Sequence, residues 1–221
     1  MTDKALFPFI TMIFIFLATG CSHNLRITNV DQYFTPPSAP SIKETIKIGV
    51  TSSNVADLQT SRYVNAIVEA LQRNSMVEKV IYPYSQAVHQ VDTVVDITLI
   101  PHYTGSGSNF FVNWPGFLIF APAIWGYGYN ADIDTKVNVT RLIDNRSQQI
   151  EIPTKWKFRQ AEMDRTWTEV GWFEVGLIPL IGGFVFMDYD HDVTDEFITK
   201  VSPNYASHVA GKIMATVYSL Y

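Results

Sequence analysis

Cysteine is almost missing from this chain: Cys21 is the single example in 221 residues. A disulfide framework and a thiolate metal cluster are therefore excluded, and stability has to come from packing. Charge is scarce too, at 17% of residues with a formal net value of −5. That balance offers no basic field for nucleic acid or for an anionic surface. Nucleotide motifs are missing as well: there is no Walker loop, and Gly126-Tyr127-Gly128-Tyr129 leads into a strand pattern where a phosphate loop would need a helix. Gly105-Ser106-Gly107-Ser108 lacks the spacing of a nucleophile elbow and reads as a hinge. His23, His89, His102, His191 and His208 are scattered, without zinc spacing. Asp188, Asp190 and Asp192 alternate and are the first place to look for a cation. A calcium loop starting there would need Gly and Glu where the chain has Val193 and Thr199. A simpler role for Asp192 or Thr194 is to cap a helix whose first turn carries Asp195 and Glu196. We therefore expect no metal and no cofactor.

What is present at the amino terminus is specific. Lys4 precedes an uncharged apolar run from Ala5 to Ala18, and Leu17-Ala18-Thr19-Gly20 leads directly into Cys21. A short basic region, an apolar stretch below the ~20 residues of a spanning helix, and small residues at a cleavage point make a secretory signal. The segment resembles the type II signal peptide of bacterial lipoproteins. The resemblance implies cleavage before Cys21, a diacylglycerol thioether on its sulfur and an acyl chain on its new amino group. One acyl chain binds membranes only reversibly, at about 0.8 kcal/mol per buried methylene, so three would hold the protein permanently. Ser22 in place of Asp after the cysteine implies, by the sorting habit of the same family, transfer to the outer membrane.

The organisation expected is residues 1–20 as signal, 21–44 as a lipid-anchored tether and 45–221 as one periplasmic domain. Pro36, Pro37 and Pro40 among polar residues favour an extended tether. Ile46 to Val50 reads as a strand, and Leu58, Val64, Ile67, Val68 and Leu71 recur at helical spacing. Val77 to Tyr82 and Val95 to Leu99 read as further strands, with a short helix or turn from Ser85 to Gln90 between them. Ile133, Val137 and Val139, then Ile152, Trp156 and Phe158, alternate with polar residues around the turn Asp144-Asn145-Arg146-Ser147. This predicts a hairpin with one wet and one buried face. A helix from Asn204 to Leu220 closes the chain. The fold class expected is α/β: a mixed sheet of about five strands with helices packed on it, plus two apolar excursions.

Those excursions are the least ordinary feature. No charged side chain occurs between Tyr103 and Ala131, a tract holding Phe110, Phe111, Trp114, Phe117, Phe120 and Trp125. The second runs from Val175 to Met187 with Phe184 and Phe186, after Trp172. Pro115, Gly116, Pro122, Pro179, Gly182 and Gly183 break both into pieces too short to span a bilayer as one helix. Three readings stand open: a second core folded over the sheet, a patch for self or partner contact, and burial in the interfacial zone of the membrane. The element order resembles the periplasmic α/β domain of the curli-secretion lipoprotein and its relatives in exopolysaccharide export. In that family the corresponding excursions are membrane-inserting hairpins of a ring-shaped oligomer.

The expectation is a non-enzymatic envelope lipoprotein that faces the periplasm. Segments 108–129 and 172–187 would supply its contacts with a membrane surface, with a second copy or with another envelope protein; nucleic acid is not an expected partner. A metal-dependent hydrolase of envelope substrates is the alternative, with Asp188 to Asp195 as its place to act.

Overall fold

The computed structural model describes residues 24–33, 45–53, 57–113, 125–161 and 187–221. Along the chain these form β1 (Asn24–Ile27), β2 (Ile46–Ser52), α1 (Leu58–Gln72), β3 (Val77–Ile81), β4 (Thr93–Gly105), α2 (Asn109–Asn113), β5 (Tyr127–Arg141), β6 (Arg146–Ala161) and α3 (Thr194–Ser219). Short 3-10 turns at Val30–Tyr33 and His191–Val193 precede β2 and α3. The six strands make one mixed sheet in the order β1-β6-β5-β4-β2-β3. Strand β2 is parallel to both β3 and β4, whereas β1 is antiparallel to β6. The protein is therefore α/β, with one strand more than the pattern of the sequence predicts.

The extra strand lies inside the stretch expected to be tether. Asn24 to Ile27 pair with Ala161 to Phe158, and Leu25 is only 4% exposed. Four residues carry too little alternation to be read as a strand alone; the free edge of β6 supplies the missing information. Of the two forms expected for Ser85 to Gln90 the turn is found, with the His89 N–H and the Val88 N–H both donating to the Ser85 carbonyl. One further boundary moves. Helix α3 begins ten residues before Asn204 and includes Pro203. Phe197, Ile198 and Val201 continue the buried stripe of Tyr205, Val209, Ile213 and Val217 through the proline, and that packing outweighs the lost backbone bond.

By contacts the chain forms two compact units, with β4, β5 and β6 each contributing to both. The larger comprises Asn29–His102, Ala131–Trp156 and Asp192–Tyr221. Its sheet residues alternate with period two. Ile46, Ile48 and Val50, Val95, Ile97 and Leu99, Ile133, Val137 and Val139, and Ile152 and Trp156 are buried on one side. Lys136 and Glu151 form an exposed ion pair of 3.1 Å on the other.

Helices α1 and α3 pack together over this core. Asp57 starts α1 as its cap, accepting from the backbone N–H groups of Gln59 and Thr60. The Thr60 hydroxyl donates to the same carboxylate at 2.7 Å, and these hydrogen bonds hold Asp57 below its usual acidity range. Tyr63 of α1 meets Tyr205 of α3 edge-on at 5.2 Å, and the Tyr205 hydroxyl shares a 2.6 Å hydrogen bond with Thr135 of β5. Arg62 ties the same helices at their surface through Asp195 and Thr199.

Candidate functional site

The smaller unit comprises Met1–Thr28, Tyr103–Asn130 and Lys157–His191. It contains the last residues of β4 and β6, the first residues of β5, and all of β1. Both apolar tracts start and finish here, so the described residues that flank them form the candidate site.

Their roots are locked to one another by short contacts. The Ser106 N–H donates to the Gly128 carbonyl at 2.9 Å. Asn109, fully buried at the start of α2, closes a two-way clamp: its Nδ2 donates to the Gly128 carbonyl at 2.9 Å, and its Oδ1 accepts the Gly128 N–H at 2.6 Å. The entry to the first tract and its exit are thus held side by side. Gly126 has φ +68, and a Cβ there would stand 2.8 Å from the Gln160 carbonyl oxygen, so the backbone of the exit presses against the last residues of β6. Arg159 Nη1 donates to the Trp125 carbonyl at 3.4 Å across the same junction. Gly105 closes the set, since a Cβ on it would collide with the Met187 carbonyl oxygen and with Asp188. Met187 is the last residue of the second tract and the one residue of it that is described.

Aromatic rings fill the space behind these roots. Tyr189 stacks on Tyr103 at 5.1 Å and stands edge-on to Tyr129 at 5.5 Å and to His191 at 5.3 Å. Tyr129, 1% exposed, also packs against Phe158 at 5.4 Å. Of the residues expected to make contacts, Phe110 packs edge-on against Phe111 at 5.3 Å and is half-buried. Phe111 is 69% exposed, Trp125 54% and Met187 36%, all at the described ends of the tracts. Cys21, Trp114, Phe117, Phe120, Trp172, Phe184 and Phe186 lie outside the described residues.

Asn24, three positions after Cys21, pairs with Ala161. Strand β1 therefore begins three positions after Cys21 and pairs with the last residues of β6. This relation between a chain end and two apolar tracts is not written in any local motif. It depends on β1 finding β6, and on both tracts being inserted at the same ends of neighbouring strands. Asn109, Gly126 and Gly105 escape sequence reading for the same reason, although the glycine-rich flanks of the first tract mark where close approaches occur.

Asp188 and Asp192 are exposed and Asp190 is half-buried. Among the described residues no group of three or more His, Cys, Asp or Glu side chains is arranged to hold a metal ion. No helix among them is long and apolar enough to cross a membrane. Comparison with protein-family models and with characterised proteins finds no match for this chain.

Proposed function

We propose that this protein is an acyl-anchored envelope lipoprotein with a non-enzymatic binding role, whose two apolar tracts contact the membrane that holds its amino terminus. One observation carries this reading. Strand β1, which starts three positions after the residue expected to bear the lipid, pairs with the end of β6 in the same compact unit as Ser106, Gly126 and Gly128 of the first tract and Met187 of the second. Acyl chains on Cys21 would hold that junction at the headgroup layer, where aromatic side chains such as Trp125 are favoured. A patch for another protein would have no need of this proximity, and a second core would not favour exposed Phe111 and Trp125 at its margin.

Replacing Trp114 or Phe184 with a photoreactive residue in intact cells tests the reading. Phospholipid adducts from both positions are the expected result. Adducts with a second copy or with another protein, or no adduct at all, would reject membrane contact.

A further inference from the structure

Among the described residues the first half of β6 is a sheet edge without a partner strand, and the observations there are independent of the apolar tracts. The register of β1 ends at the Ile27–Phe158 pair, and beyond it the Thr28 N–H donates to the Lys157 carbonyl. Tyr33 then caps the edge: its hydroxyl donates to the Lys155 carbonyl at 2.9 Å and accepts the Lys155 N–H at 2.6 Å. Backbone groups of odd-numbered β6 residues therefore point outward, away from β5. From Ser147 to Pro153 no described residue pairs with that edge. The run is about 20 Å long and offers N–H and carbonyl groups at 147, 149 and 151, with a carbonyl alone at Pro153.

A groove of about 550 Å³ lies along this edge, floored by Gln148, Ile150 and Ile152 and walled by α3 through His208, Lys212 and Thr216. Two polar groups in the wall lack partners among the described residues. Lys212 makes no ion pair among the described residues. The Nδ1 of His208 is buried without a hydrogen bond, and its burial together with the Lys212 charge keeps the imidazole less basic than usual. Backbone groups without a partner among the described residues, at two-residue intervals, match another strand; Ile150 and Ile152 of the floor match alternate side chains of that strand, and the Lys212 ammonium matches a carboxylate.

We propose that this edge and groove bind an extended segment of a second protein, added as a strand beside β6, with one acidic side chain directed to Lys212. A second copy of this chain is the poorer occupant. Its β6 would bring only Gln148, Ile150 and Ile152 to the groove side, and its Glu151 is held by Lys136 on the opposite face.

The probe is a fluorescent hexapeptide of alternating Val and Thr with one Asp among the Val positions, titrated by anisotropy against the full mature lipoprotein in detergent. Binding is expected. N-methylation of the alternate amides that face β6 should abolish it, while methylation of the other alternate set should leave it intact. Asp to Asn in the peptide and Lys212→Ala in the protein should each weaken binding by roughly tenfold, and the two changes together by little more than one alone. Lys212→Gln provides a second variant at this exposed position. No peptide binding, equal tolerance of both methylation patterns, or additive losses would each overturn the proposal. So would protection of the Gln149 and Glu151 amides from exchange in the peptide-free protein, because it would mean that the edge is already covered.

Discussion

Removing the Asn109 side chain is the sharpest perturbation of the junction between the two tracts. Asn109→Ala deletes both bonds to Gly128, yet the two Gly128 groups are affected unequally. The carbonyl keeps the Ser106 N–H at 2.9 Å, whereas the Gly128 N–H loses the bond to Asn109 Oδ1. Leaving a buried donor without a partner costs about 1–3 kcal/mol, and the lost bond from Nδ2 adds about 1 kcal/mol. The junction should therefore loosen by roughly 2–4 kcal/mol, without a comparable loss in the core under α1 and α3. Hydrogen exchange of the Gly128 amide reads this directly. At about 1.4 kcal/mol per tenfold change, its protection should fall between about thirtyfold and several hundredfold. Asn138→Ala, on the exposed face of β5, is the control and should leave exchange unchanged. A change below about threefold in Asn109→Ala would refute the idea that this side chain clamps the entry of the first tract to its exit.

Other outcomes follow from the same physical accounting. Asp57→Ala should cost about 0.5–2 kcal/mol in chemical denaturation by removing the cap of α1. Because Asp57 is more acidic in the folded protein, its contribution is full above the unfolded carboxylate value near 3.8 and fades as pH falls through the lower folded value; in the alanine variant that acid-side loss should shrink. Tyr205→Phe leaves the Thr135 hydroxyl without its 2.6 Å partner and should destabilise the larger unit by about 1–2 kcal/mol, read from the denaturation midpoint. Cys21→Ser should leave the precursor at its higher mass and abolish acyl labelling, while persistent labelling would refute lipid attachment at Cys21.

The parts of the fold that could be read from sequence are those where one face is wet and the other dry. The alternation of Ile133, Val137 and Val139 against Asp132, Asp134, Lys136 and Asn138 announces β5, because burial on a single face writes itself into every second residue. Helix α1 is legible for the equivalent reason at helical spacing, with Val64, Ile67 and Leu71 inward. Strand β1 is too short to carry such a pattern, and its existence depends on a partner more than a hundred residues away. Pro203 misleads in the opposite direction: a local penalty suggests a boundary that long-range packing of Phe197, Ile198 and Val201 overrides. Within the candidate site, aromatic richness around Phe111 and Trp125 is visible in composition. The Asn109 clamp and the approach of Gly105 to Met187 are not, because they are relations between segments and not properties of either.

Membrane contact at the junction can be measured at its margin. Nitroxide labels placed at Phe111, Trp125 and, as a reference, the 82% exposed Ile143 of the β5–β6 turn would report relative access to oxygen and to a water-soluble nickel chelate in native vesicles. The account predicts oxygen-rich, chelate-poor surroundings for Phe111 and Trp125 and free chelate access at Ile143. Equal chelate access at all three positions in the lipidated protein would contradict it.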